Sequence, residues 1–97
     1  MRTMMKIEVE VNAGNAAIKS GRMGEIIRST LEKVKAESAY FTAVDGCRGG
    51  YIVFDLKDAS DIPSICEPFF GELGARITLA PVMTPEDVAT GVGKLSR

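Results

Sequence analysis

Apolar and polar residues alternate without a break at the start of the chain. Met5, Ile7, Val9 and Val11 interleave with Lys6, Glu8, Glu10 and Asn12. A period of two predicts a half-buried strand. The run Asn12-Ala13-Gly14-Asn15 reads as its closing turn, and residues 16–20 as a short helical turn. From Arg22 the period changes. Met23, Ile27, Leu31 and Val34 step at helical spacing, with Arg22, Glu25, Arg28, Glu32, Lys33 and Lys35 on the other side. This predicts an amphipathic helix over 22–37 with a solvated charged face.

A second strand is predicted over 39–44 and a third over 49–56. Asp45-Gly46 lies between them, the strongest hairpin signal in the chain. Asp58-Ala59-Ser60 supplies capping residues. Ile62, Ile65, Phe69 and Leu73 then recur at helical spacing. Pro63 suits a first turn, whereas Pro68 predicts a kink or break near 66–68. Gly74 suits the position just past a helix end. Residues 76–83 alternate again as a fourth strand. Thr84-Pro85-Glu86-Asp87 opens a short last helix, with Thr84 as cap, Pro85 at the first helical position and Asp87 at the third.

The order β-α-β-β-α-β over residues 1–97 predicts a single ferredoxin-like α+β domain. Its four-stranded antiparallel sheet, in the spatial order 4-1-3-2, carries two helices on one face. The hairpin sets the facing. An even loop around Asp45-Gly46 pairs Tyr40 with Tyr51, Phe41 with Gly50 and Ala39 with Ile52. Ile52, Phe54 and Leu56 then face the helices together with Phe41. The uncovered face displays Lys6, Glu8, Glu10, Tyr40, Thr42, Val44, Tyr51, Val53, Asp55, Arg76, Thr78, Ala80 and Val82. Tyr40, Tyr51, Val53, Ala80 and Val82 make that face apolar enough to invite a cover.

Composition narrows the function classes. A net charge of −1 over 97 residues gives no footprint for nucleic acid or for an anionic membrane. Arg48-Gly49-Gly50-Tyr51-Ile52-Val53-Phe54 shares a topology with the RNA-recognition motif. However, Glu8 and Glu10 on the same face would repel phosphate, and Tyr51 is the lone aromatic strand three offers there. Histidine is absent, which removes the commonest general base and metal ligand. Cys47 and Cys66 form no C-x-x-C pair, so neither a disulfide framework nor a metal site is expected. No segment reads as secretory or membrane-spanning, and the expected compartment is the cytoplasm with both thiols reduced.

Three features together resemble the dimeric α/β-barrel superfamily, in a branch of short bacterial proteins. They are the element order, the helix run Ile65-Cys66-Glu67-Pro68-Phe69-Phe70 and the exit Pro81-Val82-Met83-Thr84-Pro85-Glu86-Asp87. The resemblance implies a homodimer in which the open sheet faces meet. It also implies a small organic ligand, held inside the barrel or between sheet and helices. The superfamily includes cofactor-independent monooxygenases, muconolactone isomerase-like enzymes, haem-degrading enzymes and effector domains of transcription regulators. Without histidine, neither axial haem binding nor a His-Asp pair is available to this chain, and without tryptophan the Asn-Trp-His monooxygenase pattern is missing.

The candidate site on the open face comprises Glu8, Glu10, Tyr40, Tyr51, Asp55 and Arg76. A carboxylate could act as base, Arg76 could hold an anion, and the tyrosines could orient it. The plainer account is charges pairing across strands and a cross-strand aromatic pair. The expected function is that of a cofactor-independent enzyme acting on a small organic molecule. The alternative is a small-molecule-binding or regulatory module without catalysis. No cofactor or metal is expected.

Overall fold

The computed structural model describes residues 1–96. Four strands, β1 (Arg2–Glu8), β2 (Ser38–Val44), β3 (Cys47–Asp55) and β4 (Arg76–Pro81), form one antiparallel sheet in the order β2-β3-β1-β4. The four helices are α1 (Val11–Ser20), α2 (Arg22–Val34), α3 (Ile62–Leu73) and α4 (Pro85–Gly93). This is the ferredoxin-like α+β arrangement, with the expected strand order read from the other edge.

The hairpin explains the register. Asp45 and Gly46 both take positive φ, 50° and 82°, the mirror-image turn whose twist matches that of its flanking strands. Tyr40 therefore sits opposite Tyr51, Phe41 opposite Gly50 and Ala39 opposite Ile52. Gly50 makes room for this. A Cβ there would run into the Phe41 ring and the Tyr40 carbonyl oxygen.

The buried face of the sheet carries Met5, Ile7, Ile52 and Phe54. Helices α1, α2 and α3 add Ala17, Met23, Ile26, Ile65, Phe69 and Leu73 to the same core. Phe69 is buried and Phe70 exposed, as their roughly 100° separation around a helix requires.

Two expectations are corrected here. The first strand spans Arg2–Glu8 rather than running on to Val11, and a full helix, α1, starts where a turn was expected. Glu10 is the reason. Its carboxylate leaves the sheet and accepts the Ala13 backbone N–H at 2.9 Å, filling one of the orphan donors of the first turn. The second correction is that α3 runs unbroken through Pro68. Proline cannot donate to the carbonyl four residues back, but that carbonyl, on Ser64, accepts from Lys33 Nζ of α2 at 3.1 Å. A neighbouring helix thus supplies the missing donor.

The last helix opens as the sequence indicates. Asp87 N–H donates to Thr84 Oγ1 at 3.1 Å, and Thr84 N–H donates to Asp87 Oδ2 at 3.0 Å. No helix among the described residues is long and apolar enough to cross a membrane.

Candidate functional site

The sheet register sorts the residues expected on the open face into rows across the strands. Tyr40, Tyr51, Lys6 and Thr78 form one row, and Thr42, Gly49, Glu8 and Arg76 the next. Tyr40 therefore lies beside Tyr51 and Glu8 beside Arg76, while Tyr40 and Arg76 stand on the two edge strands, three strand spacings of ~4.8 Å apart. Lys6 lies among them, its ammonium 3.5 Å from Glu8 and 3.7 Å from Asp45. The hydrogen bond to Glu8 and the field of Asp45 hold its pKa above the ordinary lysine value.

Two residues do not join this group. Glu10 caps α1, off the sheet. Asp55 lies opposite Arg2 at the far end, about 20 Å along β3 from Gly49 at ~3.3 Å per residue. There it accepts from the Met1 amino group at 2.6 Å and from Lys57 at 3.0 Å. These bonds lower its pKa to about 2, as befits an exposed, paired carboxylate. Between the two ends runs a row of Ser38, Val53, Met4 and Ala80, apolar in its last three members. Met4 joins it because β1 starts earlier than its alternation from Met5 indicated.

A concavity lies on the other side of the sheet. Helices α1 and α2 pack over β3, and α3 packs beside β4, so the helix-facing side of β2 is left open. Phe41 points that way and stays 48% exposed. The result is a cavity of about 680 Å³, within the range that accommodates a small organic ligand. Its walls include Val9, Val11, Ile27, Phe41 and Ala43, and Asn15 and Arg48 are the polar residues of α1 and β3 that border it.

Arg48 lies across α1, where Gly14 makes the space. A Cβ on Gly14 would come within 2.9 Å of Arg48 Nη1 and 3.1 Å of Val9 Cγ1. None of the ion pairs among the described residues involves Arg48. A guanidinium with five donors beside an apolar cavity is a natural anion partner. Sequence reasoning passed over this site because Gly14 was assigned to a turn, and only the helix places it under Arg48.

The two cysteines differ. Cys66 is 2% exposed in the core, and burial pushes its thiol pKa up. Cys47 is half-buried at the start of β3, on the open face of the sheet. Iodoacetamide is expected to modify Cys47 quickly and Cys66 only on unfolding. Peptide mass spectrometry after a short pulse reads this out, and equal labelling would remove Cys66 from the core. No group of three or more metal-ligating residues occurs among the described residues.

No protein-family model matches the chain, and no curated protein matches it in sequence. Solved structures do match its fold. One is 5-chloro-2-hydroxyhydroquinone dehydrochlorinase (TftG) from Burkholderia phenoliruptrix AC1100, in complex with 2,5-dihydroxybenzoquinone. The TM-score is 0.64 at 13% identity, over 89% of this chain and 97% of that one. At that identity the likeness bears on the fold.

Proposed function

We propose that this protein binds a small, largely apolar organic anion, such as an aromatic acid or an ionised hydroxyquinone, in the cavity between β2 and α1/α2. The observation that carries this is the cavity of about 680 Å³ with the exposed Arg48 at its edge, a cation beside apolar walls with no carboxylate partner among the described residues. Apolar walls reward burial of a flat ring at roughly 25 cal/mol per Å², and the guanidinium fixes the acidic end. A fold neighbour that is a dehydrochlorinase in complex with 2,5-dihydroxybenzoquinone favours turnover of the bound molecule as the enzymatic form of the same function.

Calorimetric titration with 2,5-dihydroxybenzoquinone and a series of aromatic carboxylates tests the binding. One saturable site per chain is expected. Arg48→Met should weaken it about 10- to 100-fold, the loss of one charge-assisted hydrogen bond or two. Unchanged affinity in Arg48→Met would move the site elsewhere. Incubation with a chlorinated hydroxyquinol, followed by chloride assay, separates turnover from binding alone.

The same reading takes the protein as a cytoplasmic homodimer joined through the open sheet face, with Glu8, Tyr40, Tyr51 and Arg76 inside the seam. The row of Met4, Val53 and Ala80 supports it, because an apolar row along the middle of a face gains most from a partner. Val53→Arg would set an unpaired charge in that seam. Sedimentation equilibrium at micromolar concentration should then show monomers, or no folded protein, against a wild-type dimer. A wild type that is strictly monomeric under those conditions removes the interface.

A further inference from the structure

We infer that Phe41 and Arg48 together select the ligand of the cavity: a planar aromatic anion whose charged group is attached directly to the ring, with the ring stacked on Phe41 and the charge held by Arg48. This refines the anion-binding reading above and rests on it.

The pairing of β2 with β3 places the two side chains. Phe41 stands opposite Gly50, and Ala43 opposite Arg48. Alternation along the strands sends all four positions to the helix-facing side. Gly50 has no side chain to set there, and Phe41 takes the space. Its Cδ1 comes within 2.5 Å of the point that a Cβ on Gly50 would occupy. The ring therefore reaches across from β2 and rests on the backbone of β3. Its other side has no such cover, since Phe41 is half-exposed and lines the cavity.

A ring held against the sheet on one side and open to a cavity on the other is a stacking platform. Aromatic pairs gain from offset stacking beyond the area that they bury, whereas a saturated ring of similar size gains the area alone. Phe69 also borders the cavity but is buried in the core, so Phe41 is the aromatic with a free face.

The charge lies at a set distance from this platform. Arg48 precedes Gly50 by two residues on the same face of β3, about 7 Å along the strand. Between the ring and the guanidinium the sheet carries only the methyl group of Ala43 on β2, so the floor there is low. Gly14 of α1 gives the guanidinium its place on the helix side, where a Cβ would stand 2.9 Å from Nη1. None of the described residues lining the cavity is acidic, so its walls do not repel an anion. A carboxylate or ionised hydroxyl directly on the stacked ring, joined to Arg48 by a charge-assisted hydrogen bond of about 2.8 Å, spans this interval. Two methylenes between ring and charge overshoot it, and such a ligand has to fold back or lift its ring off Phe41.

Calorimetric titration with matched acids tests the selection. Benzoate and cyclohexanecarboxylate carry the same charge on rings of similar size, and only benzoate has a π face. The wild type is expected to prefer benzoate roughly 2- to 10-fold, and to bind benzoate more tightly than 3-phenylpropionate. Phe41→Leu, at a half-exposed edge position, should weaken benzoate alone and so erase the first preference. Arg48→Met should weaken both ring acids alike and leave that preference intact. Phe41→Trp introduces a tryptophan into a chain that has none, and saturation with 2,5-dihydroxybenzoquinone should quench its fluorescence. Equal affinity of the wild type for benzoate and cyclohexanecarboxylate, or a preference that survives Phe41→Leu, overturns the stacking and leaves anion binding in place. Tighter binding of 3-phenylpropionate than of benzoate overturns the direct attachment of charge to ring. A wild type that takes up none of these acids and no quinone removes the cavity reading itself, and the selection with it.

Discussion

Phe69→Ala is expected to cost about 3–5 kcal/mol of folding stability, while Phe70→Ala costs about 1 kcal/mol or less. The two residues are adjacent on α3, and the helix turns them apart. Phe69 is 1% exposed and belongs to the largest fully buried side chains, with Phe54, Met5, Ile52 and Leu73. Removing its ring leaves a cavity in the core that the sheet shares with α1, α2 and α3. Phe70 is 46% exposed and loses little. A domain of this size holds a total stability of about 5–15 kcal/mol, so the first change takes a large share of it. Urea denaturation distinguishes the two: Phe69→Ala should move the midpoint far down at unchanged slope. Equal, small losses would mean that the buried stripe of α3 has been misassigned.

Gly49→Ala is expected to be as damaging, for a backbone reason. A Cβ at Gly49 would collide with the carbonyl oxygen of Ile7 and would stand 2.9 Å from Val44 Cγ2. The Val44 side chain is itself buried against it. Ile7 is on β1, between β3 and β4, and its carbonyl cannot retreat without loosening the β1–β3 pairing. The cost should exceed the 1–3 kcal/mol typical of overpacking by side chains alone. Gly71→Ala is the control. Gly71 is in α3 with nothing within 4 Å of an added Cβ, so the exchange should stabilise by about 0.5–1 kcal/mol through helix propensity. Thermal melts should therefore shift in opposite directions, and a Gly49→Ala protein that melts like the wild type would refute the close approach of β1 and β3.

The parts of the fold legible in the sequence were those fixed by short-range rules. The Asp45-Gly46 turn sets the register of β2 and β3, and with it the facing of Tyr51, Val53 and Ile52. The helix α2 is legible from its period, but its stripe is displaced by one position: of Met23, Ile27, Leu31 and Val34, Met23 is buried and the other three are partly buried, while Ile26 and Thr30 are the further residues that bury fully. Helix α1 was not legible. Its buried residues are Gly14 and Ala17, too small to register as a hydrophobic stripe, and its cap is a glutamate rather than one of the usual short capping residues. The continuity of α3 through Pro68 depends on Lys33, thirty-one residues away from Ser64 in the chain, which no local rule connects.

The candidate site was legible in part. Glu8, Tyr40, Tyr51 and Arg76 share one face toward one end of the sheet, spread over its four strands, because side-chain alternation is enough to set their facing. Asp55 shares their face but not their end, since facing says nothing of distance along a strand. The cavity was out of reach altogether. It exists because the helices stop short of β2, an offset between layers that the residues lining it do not encode one by one.

The same offset has a consequence for solubility. Strand β2 is at the edge of the sheet, so its outer row of backbone donors and acceptors meets no further strand. Its sequence, Ser-Ala-Tyr-Phe-Thr-Ala-Val, contains no charge and no proline, the two devices that usually keep an edge from recruiting other strands. Tyr40, Phe41, Thr42 and Ala43 are exposed along it. Such a segment has the composition of a fibril-forming strand, and the intact fold restrains it chiefly by being stable. Variants that loosen the hairpin or split a dimer are therefore expected to scatter light before they show a clean monomer, with Thr42→Lys as the change that restores their solubility.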